Sequence, residues 1–570
     1  QRRSAWLAPM SLSQPRRLLR RIRAGQTLIG KRLRGQTFSL DHLALWPVAL
    51  MIGIVTGYAV LGFRTLISVL QEFFYGADEA SIHSFAAGLP WWQVLIIPIL
   101  GGLVVGQILV RLSPTRRARG IDDVIEAAAL KNGRVGKRQG AASALAAVVT
   151  LSCGGSTGRE GPAVHIGAVI ASWVSDRLKA TPITARDILG CAAAAAVSAS
   201  FNAPIAGAIF ALEVILRHYA LHSFGPIVMS SVAAAVVSRI HLGDFSEFDL
   251  PAHTLAFYWE MPAFIILGIV CGLVSVTMMR GLFFAERIGD RVQATVHLPD
   301  SLRPAFAGAL LGLVAIWFPH IIGVGYETTL EALRSNLTFS AAVLFAMVKV
   351  IAVAITFSGR MGGGVFSPSI MVGALTGAAF GNIATAVFPM LSGVEAIYAL
   401  AGMGAVAGAV LGAPISSTLI VFELTGDFQA AIAVMIAVSL ASVISGRMVE
   451  RSFFLTVLER RGLHLSDGPQ GYLAATMKVG HLMRPRGAEN CAPDGGCFEL
   501  VDQGAFLTPE DTLERALPMF ERLHGAYIPV VVQTAGDSEN AQDLLGAIYH
   551  VDALRAYNRT LEEELREEHL

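Results

Sequence analysis

Gly154-Gly155-Ser156-Thr157-Gly158-Arg159-Glu160-Gly161-Pro162 joins two apolar segments, and its composition sets the problem. The glycines let the backbone turn tightly and present its N–H groups. Pro162 suits the first turn of a following helix. A helix start carries unpaired N–H donors and partial positive charge, so it favours an anion. Glu160 puts one carboxylate at that positive end. An ionisable side chain at membrane depth is costly and usually functional. A carboxylate there occupies the place an anion would take, and vacates it when protonated or displaced. The competing reading is a structural Glu160–Arg159 pair.

Working outward, the same design recurs about 200 residues later. Gly362-Gly363-Gly364-Val365-Phe366-Ser367-Pro368 is again a glycine run before a helix start. Gly161 to Ala168 matches Ser367 to Ala374 at an offset of 206. Phe201-Asn202-Ala203-Pro204-Ile205, then Glu213, matches Leu411-Gly412-Ala413-Pro414-Ile415, then Glu423, at an offset of 210. Two matches in the same order point to two repeats, at about 44–242 and 256–448.

The chain around these repeats is membranous. Of 570 residues, 54% are hydrophobic and only 15% charged, against about 25% charged in a soluble domain. The 57 glycines suit close helix packing in lipid. Long apolar stretches lie at about 44–74, 93–112, 137–155, 158–176, 186–216, 223–240, 258–285, 303–320, 339–357, 366–388, 392–425 and 428–446. Several are shorter than the ~20 residues a spanning helix needs, or are broken by Gly and Pro. Broken helices at membrane depth are tolerated where they line a cavity, as in transporters.

Basic loops at Arg111–Arg119 and Lys131–Arg138, against an acidic connection at 242–260 without Lys or Arg, place both termini in the cytoplasm and the mid-chain connection outside. The two halves then run in opposite orientation, with a shared site near the midplane. Residues 1–43 are Arg-rich with no acid before Asp41. They read as a cytoplasmic segment against anionic lipid rather than a nucleic-acid arm, because a membrane domain follows. The first residue is Gln, so the translation product is expected to begin further upstream.

GREGP with His165, and GGGVFSP, resemble two of the three signature motifs of the CLC family of chloride channels and proton-coupled chloride transporters. The stretches around Glu213 and Glu423 are also similar, and the likeness covers about 44–462. It implies an all-α polytopic membrane protein with the CLC fold, two inverted repeats of broken helices, about eighteen in all. It implies a homodimer in a cell (inner) membrane with one pore per subunit and chloride or a similar anion as substrate. It implies Glu160 as gate and an anion site among Gly158, Arg159, Gly161, Pro162, Gly364, Val365 and Phe366.

Three departures stand out. Where the family has GSGIP, this chain has Ala118-Arg119-Gly120-Ile121-Asp122. Arg119 then attracts anions, pairs with Asp122, or simply faces the cytoplasm. Val214 stands where proton-coupled members often carry a glutamate, leaving Glu213 as the nearest substitute or as a structural acid. Phe454 stands in place of a pore tyrosine and lacks its hydroxyl. These favour passive or weakly coupled transport over stoichiometric chloride/proton antiport.

Residues 463–570 read as a small α/β cytoplasmic unit with an acidic tail. Val479–Pro485, Tyr527–Val531 and Leu545–Asp552 resemble one CBS domain, with inserts at about 486–500 and 533–543. An Asp placed like Asp552 contacts ribose in adenosine-binding versions, so an adenine nucleotide is one reading; Tyr549 departs from that pattern. No other cofactor is expected. The five cysteines form no disulfide scaffold, and no metal-ligand spacing is present. No HExxH occurs, and Ser156, although framed by Gly154 and Gly158, has no evident base nearby, which argues against a membrane hydrolase.

Overall fold

The computed structural model describes residues 42–569 apart from 80, 220, 244–256, 390–393, 464–473, 475–476, 489, 524 and 534–541. The basic segment before residue 42 and most of the connection between the halves lie outside the described residues.

Among the described residues between His42 and Arg460 there are eighteen α-helices, from His42–Tyr75 to Phe453–Arg460. Among the described residues, seven helical stretches are long and apolar enough to cross a membrane. The longest, Phe257–Val296, has 40 residues. At 1.5 Å per residue that is about 60 Å, twice a bilayer's hydrocarbon core, so it must tilt or project. Glycines let the helices pack at backbone distance. A Cβ on Gly106 would fall 1.9 Å from the Ser301 carbonyl oxygen, and one on Gly377 would fall 2.0 Å from that of Tyr398.

Two apolar stretches that read as single runs are each two helices. The first breaks at Asn202, which closes Pro182–Phe201 with φ 54° before Pro204 restarts the chain. The second breaks at Gly412, which closes Glu395–Leu411 with φ 70° before Pro414. Positive φ favours Gly and tolerates Asn, and proline suits a helix start. The breaks are 210 residues apart, so the repeat extends to local backbone.

The two helix starts created there are clasped across the halves. Glu423 accepts hydrogen bonds from the backbone N–H of Ile205 and Ala206 at 2.9 and 2.7 Å. Glu213 accepts from those of Ile415 and Ser416 at 3.0 and 2.8 Å, and from the Ser416 hydroxyl. Each carboxylate caps the helix start of the opposite half. The sequence alone left Glu213 as proton carrier or structural acid; both its oxygens are engaged in the clasp.

In the C-terminal region a three-stranded sheet has the order Arg484–Pro485, Gln542–Tyr549, Tyr527–Gln533, all antiparallel. Helices Leu513–Leu523 and His550–His569 accompany it, over a core of Val479, Leu507, Leu513, Phe520, Ile528 and Ile548. The span 486–500, expected as an insert, contains most of a helix, Asp494–Asp502. Its Cys497 packs with Val531, Leu544 and Ala547. Part of the second expected insert lies outside the described residues. Arg484 donates to the Asp552 carboxylate at 2.7 Å, with its guanidinium 4.1 Å from the Tyr549 ring centre.

Candidate anion site

The two glycine runs meet. Gly158 N–H donates to Gly364 O at 2.8 Å, and Gly364 N–H donates back to Gly158 O at 2.9 Å. This antiparallel bridge joins residues 206 apart, the offset found in the sequence. Threonines brace it from both halves. Thr157 Oγ1 donates to Gly364 O at 3.0 Å, and Gly362 N–H donates to Thr150 Oγ1 at 3.1 Å. From the second half, Thr356 Oγ1 accepts from Ser156 N–H at 3.2 Å.

Beside the bridge, Gly363 requires glycine and the other glycines leave little room. Gly363 has φ 148°, and a Cβ there would fall 2.0 Å from Thr157 Oγ1. A Cβ on Gly161 would lie 3.3 Å from the Gly364 Cα. Two helices leave this seam. Glu160–Leu178 starts after Arg159 at φ −88°, ψ −19°. Phe366–Val387 starts after Val365 at φ −91°, ψ −9°. Both starts converge on one point with their unpaired N–H groups.

A cavity of about 490 Å³ ends at the seam. Gly161, Gly363, Gly364 and Val365 form its floor, and Phe357, Phe453 and Phe454 line its wall. Its mouth carries Arg117, Arg287, Arg360, Arg460 and Arg461 against Asp122, Glu286 and Asp290. Arg117 pairs with Glu286 at 2.8 Å, Arg461 with Asp122 at 2.5 Å and Arg360 with Asp290 at 3.0 Å. The surplus of cations concentrates anions at the entrance. Apolar walls and backbone donors beyond it supply a site without a fixed charge.

Glu160 lies behind this floor, 1% exposed, and its carboxylate approaches the Gly158 Cα closely enough to meet a Cβ placed there at 2.8 Å. Arg159 is also buried, and its guanidinium is directed to other work. It pairs with Glu79, donates to the Tyr326 hydroxyl at 2.9 Å and reaches Ser200 O at 3.4 Å. Its contact with Glu160 is 3.9 Å.

Of the residues singled out by sequence, Gly161, Gly364, Val365 and Phe454 line the cavity. Gly158 forms the bridge behind it. Pro162 occupies the first turn of its helix, and the Phe366 ring packs on Phe201 and Phe210 at 4.9 and 5.9 Å. Arg119 is not among the lining residues. It pairs with Asp123 and lies 3.6 Å from Glu126. The expected partner Asp122 instead holds Arg461. The helix starts at Ile121, so adjacent acids on it point about 100° apart, and it is Asp123 and Glu126, three residues apart on one face, that reach Arg119.

The arginines at the mouth were missed because they come from segments hundreds of residues apart. Lys349 was missed too; it is fully buried and donates to Ile321 O and Gly323 O at 3.2 and 2.9 Å. A membrane helix with one lysine in an apolar run was the available signal.

Residues 101–446 match the family model described as voltage gated chloride channel. The chain belongs to that family. A putative ClcB-like chloride channel protein of Ralstonia nicotianae is 31% identical over 397 residues, covering 68% of this chain and 91% of the relative. The voltage-gated ClC-type chloride channel ClcB of Escherichia coli is 28% identical over 414 residues, covering 71% and 97%. Among solved structures, a slow cyanobacterial Cl-/H+ antiporter superposes with a TM-score of 0.64 at 21% identity, over 73% of this chain and 97% of that one. A eukaryotic CLC transporter superposes with a TM-score of 0.64 at 18% identity, over 90% and 98%. Like its CLC family, the chain is a multi-pass membrane protein. Its function is transport of anions across the membrane and not enzyme catalysis.

Proposed function

We propose that the chain carries chloride, or a similar small inorganic anion, through a pore gated by Glu160, passively or with weak proton coupling. The observation that carries this is the convergence of two helix starts at the Gly158–Gly364 bridge, with a basic-mouthed cavity on one side and a buried carboxylate on the other. An anion leaving the cavity must displace or neutralise Glu160.

Weak coupling follows from the proton's route. Val214 carries no proton, Phe454 has no hydroxyl, and both Glu213 oxygens already cap the opposite half. The reading includes a homodimer with one pore per subunit, placed in a cell membrane with cytoplasmic termini and the basic mouth inward. The C-terminal region is read as one CBS-like unit. Its antiparallel strands followed by the His550–His569 helix support this, as does the wider reach of the eukaryotic superposition. An adenine nucleotide there would have to displace Arg484 from Asp552.

Purified chain in liposomes, with chloride and pH recorded together, tests the proposal. A chloride gradient should drive anion flux with little uphill proton movement. Absence of chloride flux would overturn the proposal. Proton pumping at a fixed ratio would establish the antiporter instead.

A further inference from the structure

Two histidines and two glutamates from three segments meet beyond the Trp317 end of the Arg303–Trp317 helix. The other end of that helix holds Arg303 against Asp290, at the basic mouth. Fifteen residues separate these ends by about 22 Å. His83 lies on Ile82–Ala87, His320 in the 319–321 turn, and Glu327 and Glu331 on Tyr326–Leu333.

The geometry is specific. His83 Nδ1 lies 3.0 Å from Glu327 Oε2, and its Nε2 faces Glu331 Oε1 at 3.8 Å. The His320 ring is held between His83 and Phe345, with centroids 4.6 and 3.8 Å away. Its Nδ1 is buried and has no hydrogen-bond partner. One ligand atom from each of His83, His320 and Glu331 falls within 4.8 Å of the others. Ion pairing accounts for His83 but leaves the His320 nitrogen without a purpose.

We propose that His83, His320 and Glu331 bind a divalent transition metal of the zinc type, with Glu327 as the carboxylate that orients His83. Two imidazole nitrogens and one carboxylate oxygen are a zinc donor set that leaves a fourth position open. Zinc bonds of about 2.0–2.2 Å put neighbouring donors about 3.3 Å apart, so side-chain adjustments of up to about 1.5 Å close the site. Calcium and magnesium require more oxygen ligands than are present. A carboxylate holding the second nitrogen of a ligating histidine fixes its tautomer.

The site also reaches the gate. Tyr326, at the start of the helix carrying Glu327 and Glu331, receives the hydrogen bond from Arg159, which immediately precedes Glu160. A metal tying this helix to Ile82–Ala87 restrains that contact, so metal on this face slows anion flux. This last step rests on the transport reading; metal binding does not.

Cobalt(II) titration of the purified full chain, read by visible absorption and competed with zinc, tests binding without reference to transport. One metal per chain is expected. His320→Gln and Glu331→Gln should each weaken binding at least tenfold, and Glu327→Gln by about tenfold. No saturable binding to the unaltered chain, or unchanged affinity in a monodisperse His320→Gln or Glu331→Gln chain, would overturn the site. In liposomes, zinc on the face away from the basic mouth should slow chloride efflux by the unaltered chain and not by His320→Gln. Unchanged efflux with the site filled would overturn the link through Tyr326. Metal binding without any chloride flux would refute the transport reading and leave the site intact.

Discussion

The two helix starts at the seam share one backbone and differ in one side chain. Arg159 and Val365 take nearly the same dihedral angles, and each precedes a helix that begins 206 residues from the other. The first of those helices opens with Glu160 and the second with Phe366. Geometry is duplicated while chemistry is not: two equal sets of donors face one carboxylate. A site made of backbone can be symmetric in its donors and still carry a single acid.

The largest test of this comparison breaks the shared backbone. Gly363→Ala places a Cβ against Thr157 at a φ few L-residues adopt, a cost of about 3 kcal/mol or more. We expect loss of anion flux and of well-folded protein in size-exclusion chromatography. Thr157 is the equivalent of Gly363 in the first half, so adding Thr157→Gly removes the clash but not the backbone strain and should recover part of the fold. Full tolerance of Gly363→Ala alone would contradict the close-approach argument.

The next test removes the chemical difference. Glu160→Gln keeps the shape and abolishes the charge, so anion flux should persist while most of its dependence on pH disappears. A wild-type pH response in liposomes would remove Glu160 from the gate.

The smallest effect concerns the clasp, where the halves are alike in chemistry as well. Glu213→Ala and Glu423→Ala each strip the acceptor from two backbone donors, for about 1–2 kcal/mol apiece. Thermal unfolding should show similar losses. If only Glu213→Ala also changes proton movement, Glu213 carries protons as well as capping.

The repeat, the glycine runs and the helix-start position of Glu160 were legible because each is local: a glycine cluster, a proline and an acid within nine residues. The CLC resemblance supplied their convergence on one site. Where the sequence fell short, the cause was distance along the chain. Arg159 has its partners at Glu79, Ser200 and Tyr326, none of them neighbours. Arg119 chose Asp123 over Asp122 because the helix phase, not proximity, decides which acid returns. Glu213 and Glu423 were seen to recur, but only three-dimensional placement reveals that each serves the other's half.

The seam has a further implication for how the molecule is put together. Neither half contains a finished pore, a finished pair of helix ends or a finished glycine ladder; each supplies the complement the other lacks. Two fragments divided at the mid-chain connection would carry matching halves of one recognition surface, able to reassemble as a split protein does. The candidate anion site is in that sense an internal interface between the two halves of one polypeptide.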